Sequence, residues 1–165
     1  MLRDLTPVAR QYASRNRLHL RESLGSGVHG QVHFMRRTSD AGGSALKVYH
    51  LREFFVRELS VYQRLAAVGI QDVRGFAVPQ LITADEELLA IEMTVVERPY
   101  ILDFAGAYLD EDAPWFEDEK WEMWEADKRE KFGVRWQEVR SLLSALEVYG
   151  IHVLDVNPGN VAFAD

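Results

Sequence analysis

Four groups of residues have types and spacings suited to chemistry, and the last of them closes the chain. In IHVLDVNPGNVAFAD, residues 151–165, Asp155 and Asn160 stand five positions apart across a Pro158-Gly159 turn. A loop held between two apolar runs can aim a carboxylate and a carboxamide at one point, which suits a general base at Asp155 and a divalent-metal ligand at Asn160. Asp, Asn, Pro and Gly also make ordinary hairpin turns, and these residues alone leave both readings open. The second group is GSGVHGQV, where Gly25, Gly27 and Gly30 lie within six residues and are joined by Ser26 and Val32. Glycine lets backbone N–H groups approach a phosphate closely, although a plain glycine-rich turn has the same composition. The third is Lys47, set in the apolar run ALKVYHL; it either snorkels from an exposed face or turns inward to a charged ligand or carboxylate. The fourth is Glu58, one position before the apolar Leu59, with Glu53 as a second candidate.

The elements that must position these residues follow from periodicity. Thr6-Pro7 reads as an N-cap and a first helical residue, opening a short helix to about Ser14. Leu18, Leu20 and Leu24 alternate with polar residues, and Val32, Phe34 and Arg36 continue the pattern, so the glycine cluster lies in a hairpin between two strands. That placement argues against a dinucleotide fold, where the cluster joins a strand to a helix. After a polar turn, Thr38 to Ser44, Ala45 to Leu51 reads as a third strand. Leu51, Phe54, Phe55, Leu59, Tyr62 and Leu65 then recur at helical spacing up to Val68, with Gly69 as terminator. Phe76 to Thr83 and Leu88 to Thr94 read as two more strands, Glu97 to Pro99 as a connector, and Ile101 to Tyr108 as a helix. Asp110 to Lys131 crowds acidic residues around Trp115, Phe116, Trp121 and Trp124. Pro114 can begin a helix there, with Trp121 and Trp124 on one face. A second amphipathic helix runs from Val134 to Tyr149 through Trp136, Val139, Leu142, Leu143 and Leu146, closed by Gly150.

Composition excludes several classes. At 165 residues the chain suits one domain or two small lobes, and folding should bury ~70% of its unfolded surface. Hydrophobic residues make up 47% and charged ones 27%, which is ordinary for a globular chain. The net charge of -7 repels nucleic acid and anionic membranes at long range. There is no Cys, which removes disulfides, thiolate metal sites and Cys nucleophiles. With no long apolar run and no signal-peptide core at the start, a cytoplasmic protein is expected.

In this order the four groups resemble the protein kinase-like superfamily, whose glycine-rich hairpin G-x-G-x-x-G-x-V covers the phosphates of ATP. Gly25, Gly27, Gly30 and Val32 match it at each specified position. Lys47 and Glu58 fall where the family has its phosphate-binding Lys and the helix Glu that pairs with it. Asp155 and Asn160 match the catalytic-loop pattern D-x-x-x-x-N, and Asn157-Pro158-Gly159 is similar to the loops of bacterial small-molecule kinases.

The resemblance implies an α+β fold: a five-stranded antiparallel N-lobe with one main helix over residues 1–94, then a hinge and a truncated, mostly helical C-lobe over 95–165. It implies ATP and Mg²⁺ as cofactors, with Gly25, Ser26, Gly27, Gly30 and Val32 over the nucleotide and Lys47, paired to Glu58, on the α- and β-phosphates. Ile91 becomes the gatekeeper, and the Glu92 carbonyl and Thr94 N–H meet the adenine edge, with Met93 as an apolar contact. Asp155 orients and deprotonates an acceptor hydroxyl, and Asn160 holds Mg²⁺. Val153 stands where many protein kinases have His, and His152, one place early, receives no catalytic role.

The family's D-F-G segment, whose Asp is the main metal ligand, follows the catalytic loop, and no such segment follows Asn160 here. Asp165 is no substitute, because five strand residues carry it up to ~16 Å away with no return strand. Two functions are consistent with this: a minimal ATP-dependent phosphotransferase whose missing carboxylate comes from Asp110 to Asp127 or from a partner chain, or a pseudokinase serving as a nucleotide-binding or interaction module. The acidic Trp-rich segment is either a surface helix packed on the lobe below or a docking surface for a basic partner. Pairing of the chain with itself stays open.

Overall fold

The computed structural model describes residues 2–39, 42–113 and 117–165. Helix α1 (Thr6–Arg15) begins one residue earlier than its Thr-Pro signal suggests. Asp4 Oδ1 accepts from both the Thr6 amide at 3.0 Å and the Thr6 hydroxyl at 2.7 Å, so the aspartate caps the helix instead of Thr6. The next three elements form two successive hairpins, β1 (Leu18–Ser26), β2 (Gly30–Arg37) and β3 (Gly43–Tyr49). Gly30 is required at its position, since a Cβ there would run into the Val48 carbonyl of the neighbouring strand.

Helix α2 (Arg52–Val68) follows and ends at Gly69 in the left-handed conformation, φ 71°, as its terminator position predicts. The expected strand Phe76 to Thr83 is divided around Pro79, which has no N–H to give a ladder. Its first part, β5 (Phe76–Ala77), pairs with β4 (Asp72–Val73), and its second, β6 (Leu81–Asp85), pairs with β7 (Ala90–Thr94). The main sheet is therefore five-stranded and antiparallel, in the order β1-β2-β3-β7-β6. Alternation along central β3 sends Leu46 and Val48 to α1, where they meet Ala9, Tyr12 and Met35, and sends Ala45, Lys47 and Tyr49 to the face covered by α2.

The stretch expected as a helix from Ile101 to Tyr108 is instead two short strands, β8 (Tyr100–Ile101) and β9 (Ala107–Leu109), around a turn. Asp103 at φ 63° and Asp110 at φ 65° interrupt any helical run. The apolar spacing there is too short to separate strand from helix, and neighbouring strands decide. β8 lies between β5, to which it runs parallel, and β11 (Val161–Ala162), to which it runs antiparallel; β9 pairs with β10 (Ile151–Val153). These pairings bring segments remote in sequence around one point.

Helix α3 (Asp118–Phe132), a 3-10 turn (Gly133–Arg135) and α4 (Trp136–Glu147) complete the molecule. Trp121 and Trp124 meet edge to face at 5.6 Å, and Trp124 continues onto Trp136 of α4 at 5.9 Å, so these two half-buried rings pack toward α4. Pro114, Trp115 and Phe116, and the Asp40-Ala41 part of the second turn, lie outside the described residues. One core cluster runs from Phe55, Val61 and Leu65 of α2 through Ile101 and Phe104 to Val139, Leu142 and Leu146 of α4. Among the described residues no helix is long and apolar enough to cross a membrane.

Candidate functional site

A cleft of about 730 Å³ opens between the main sheet and the loops that carry Asp103 and Asp155, within the size range of small-ligand sites. The β1–β2 hairpin roofs it with Gly25, Ser26, Gly27, Val28, His29 and Gly30. A Cβ on Gly25 or Gly27 would meet no heavy atom within 4 Å, so internal packing does not demand glycine at either position. Closure of the hairpin is local: the Gly27 amide donates to the Gly30 carbonyl at 2.9 Å, and the His50 amide donates to the His29 carbonyl at 3.1 Å.

Lys47 lies at the cleft's inner wall, 5% exposed, a depth at which an ammonium without partners would be costly. It has two: Glu58 Oε2 at 2.6 Å and Asp103 Oδ1 at 2.8 Å. Burial alone would lower the Lys47 pKa, but these two carboxylates outweigh it and hold the lysine above its ordinary value. Glu58 is fully buried and collects four donors. Lys47 and the Tyr49 hydroxyl reach Oε2, while the Tyr62 hydroxyl at 3.1 Å and the Phe104 amide at 3.2 Å reach Oε1. The inward reading of Lys47 and the choice of Glu58 thus agree with the geometry; Glu53 pairs instead with Arg57 on the outer face of α2.

Asp103 is the residue that sequence reasoning passed over. The β8–β9 turn aims its carboxylate between Lys47 and the roof, where His29 Nδ1 lies 3.3 Å from Oδ1 and 3.4 Å from Oδ2. Burial works to raise the Asp103 pKa, yet the hydrogen bond from His29 and the charge of Lys47 prevail and hold it far below the carboxylate range. That hydrogen bond is in turn the main reason the His29 imidazole is raised above its ordinary value. In the sequence Asp103-Phe104 is followed by Ala105 before Gly106, so no D-F-G triplet marks it.

Asp155 faces Asp103 from below, with its Oδ2 3.7 Å from His29 Nδ1. The approach depends on Gly106, where a Cβ would stand 3.0 Å from the Asp155 Cβ and 4.0 Å from the His29 ring. The loop after Asp155 is held by its own bonds. Asn157 Oδ1 accepts from the Gly159 amide, the Asn160 amide donates to the Asn157 carbonyl, and the Asn160 carbonyl accepts from Leu102. The Asn160 side chain donates to the Asp155 carbonyl at 3.0 Å, which leaves its amide oxygen as the group it can offer a cation. Trp124 steadies the entry by donating from its indole N–H to the Leu154 carbonyl at 2.9 Å.

The remaining assignments divide. Val32, Lys47, Glu58, Thr94, Asp155 and Asn160 all line the cleft, as do the hairpin glycines and Met93. Glu92 is not among the lining residues; the expectation concerned its backbone carbonyl, and its side-chain carboxylate is buried on the opposite face of the sheet, where it accepts from the Tyr12 hydroxyl at 2.8 Å and the Ser44 hydroxyl at 2.6 Å. The Thr94 amide is already committed to the Gln80 carbonyl at 2.9 Å. The segment that borders the cleft is Met93 to Val96, which includes the expected Met93 and Thr94 and continues two residues past them. The acidic segment supplies no carboxylate to the cleft. Asp110 is bound bidentately by Arg64, Asp112 meets His152, and Asp127 pairs with Lys128 and Lys131. Asp165 lies at the surface near Arg98.

Compared with protein-family models and with curated proteins, the chain matches none.

Proposed function

We propose that the protein is an ATP-dependent phosphotransferase of kinase-like construction that acts on a hydroxyl acceptor. The observation that supports this best is Lys47 bonded at once to Glu58 and Asp103, beneath a glycine-rich hairpin and opposite Asp155 and Asn160. In this reading adenine lies against Val32, Ala45 and Met93, with its polar edge toward the backbone of Thr94 to Val96. The hairpin N–H groups and Lys47 take the phosphates.

The missing D-F-G segment supports the alternative of a silent nucleotide-binding module, and the carboxylate of Asp103 beside Lys47 supports the active reading. Its segment precedes the helices and the catalytic loop, whereas the family's D-F-G segment follows them. The donor set is right for Mg²⁺: a carboxylate from Asp103 and an amide oxygen from Asn160 are hard oxygen ligands. When bound, Mg²⁺ would neutralise charge on the phosphate oxygens. Asp155 accepts the proton of the acceptor hydroxyl as that oxygen bonds to the γ-phosphorus, and ADP departs with the electrons of the broken P–O bond. Lys47 is kept in place throughout by Glu58, whose own position rests on Tyr49, Tyr62 and the Phe104 amide.

Calorimetry with ATP and Mg²⁺ tests binding, and a coupled ADP assay over a panel of small hydroxyl compounds tests turnover. Binding that weakens in Lys47→Ala and turnover that is lost in Asp155→Asn are the expected results. No heat at millimolar ATP sinks the reading, and ADP formation at the same rate in Asp155→Asn removes the catalytic part.

A further inference from the structure

Kinase-like chemistry gives no role to an imidazole on the glycine-rich hairpin, yet His29 is turned into the cleft there. We propose that His29, Asp103 and Asp155 form a binding site for a borderline divalent transition metal of the Zn²⁺ class, filled in the absence of nucleotide and separate in purpose from a Mg²⁺ site.

The ligand atoms of these three residues all lie within 4.8 Å of one another. Their type favours zinc over magnesium. Imidazole nitrogen suits Zn²⁺, whereas Mg²⁺ keeps to oxygen and retains its waters. In a tetrahedral site with metal–ligand bonds of ~2.0–2.2 Å, neighbouring ligand atoms stand ~3.3–3.6 Å apart. An octahedral Mg²⁺ at ~2.0–2.1 Å requires ~2.8–3.0 Å. His29 Nδ1 is 3.3 Å from Asp103 Oδ1, 3.4 Å from Asp103 Oδ2 and 3.7 Å from Asp155 Oδ2, near the tetrahedral edge.

The ligands are also held ready. The His29 ring packs edge-on against Phe54 at 4.6 Å, and its backbone is tied to His50. Asp103 is oriented by Lys47 through Oδ1, which leaves Oδ2 for a metal. Asp155 closes in only because residue 106 has no side chain. The fourth position opens to the cleft. A metal so bound ties the roof of the cleft to its floor and occupies the carboxylate needed as a base, so it opposes phosphoryl transfer where Mg²⁺ supports it.

The test is made on the whole chain without nucleotide, so its outcome is independent of whether ATP binds. Zn²⁺ titration by calorimetry is expected to give one site per chain, weakened at least ~10-fold in His29→Ala and in Asp155→Asn and unchanged in His152→Ala. Co²⁺ is expected to give the intense visible bands of a four-coordinate ion, lost in His29→Ala. Thermal melting of each variant without metal confirms that it is folded. Equal Zn²⁺ affinity in wild type and both cleft variants, loss in His152→Ala, or the pale spectrum of six-coordinate Co²⁺ would each overturn the proposal.

Discussion

Lys47 and Asp103 are 56 positions apart, and the lysine ammonium meets the aspartate carboxylate at 2.8 Å while holding Glu58 at 2.6 Å on its other side. This contact joins the central strand of the sheet to the turn between two short strands near the second layer of helices. One cation lies between two carboxylates, and that arrangement is what allows charged side chains to share a largely buried place.

Replacing Asp103 by Asn keeps the size of the side chain and removes its charge. Under the proposed function, turnover falls by at least ~100-fold, because both the metal ligand and the partner that orients Lys47 are impaired. Steady-state ADP formation at saturating ATP measures this. Wild-type turnover in the variant means that Asp103 takes no part in the reaction.

Lys47→Met removes the cation from a site in which Glu58 is fully buried. The two tyrosine hydroxyls and the Phe104 amide remain as donors, but none carries charge, so a loss of ~3–5 kcal/mol in unfolding free energy is expected. Adding Glu58→Gln should return part of that loss. Urea unfolding of wild type, both single variants and the double variant gives the coupling directly, and additive effects would deny that the pair acts as a unit.

At Gly106 the missing side chain is what lets Asp155 come close. Gly106→Ala introduces a Cβ at 3.0 Å from that of Asp155 and must push the loop aside. A displacement well under 1 Å leaves the nucleotide contacts of the hairpin intact but lowers kcat by up to ~100-fold. Kinetics that show a raised KM for ATP with kcat unchanged would contradict this.

His33 provides a pH dependence remote from the cleft. It is 4% exposed on β2, facing Leu46 and the α1 side of the sheet, and its Nε2 has no hydrogen-bond partner. Burial holds its pKa below the ordinary 6.5, with the charge of Asp4 opposing only in part. As pH falls below 6.5 the unfolded chain takes up a proton that the folded chain refuses. The contribution of His33 is therefore complete above that pH and declines below it, towards the lowered folded value. Urea unfolding between about pH 7.5 and 5 should show this slope, and His33→Phe should flatten it. An unchanged slope in the variant would assign the dependence to other groups.

What the sequence disclosed and what it hid follow from how local each signal is. Helix α2 and its glycine terminator depend on periodicity and on residues a few positions apart, and they were legible, whereas the direction of Lys47 is decided by Glu58 and Asp103. The hairpin, Asp155 and Asn160 were legible because spacing alone defines them. Asp103 was not, since its role depends on β8 lying between β5 and β11, a pairing of segments some twenty-three and sixty residues apart in the chain. The adenine-side strand was placed well, since β7 ends at Thr94 as its apolar run predicts, but that the Gln80 carbonyl takes the Thr94 amide is a pairing only the fold reveals.

The four-stranded sheet β11-β8-β5-β4 has a mechanical consequence. It fastens the chain just after α2 to the chain just after Asn160, with the strand leading to Asp103 held between them. The floor of the cleft is in effect one stiff plate, and the connector after Thr94 runs straight into it. Movement that admits or releases a ligand is then expected of the β1–β2 hairpin, whose His29 side chain reaches down to Asp103 and Asp155.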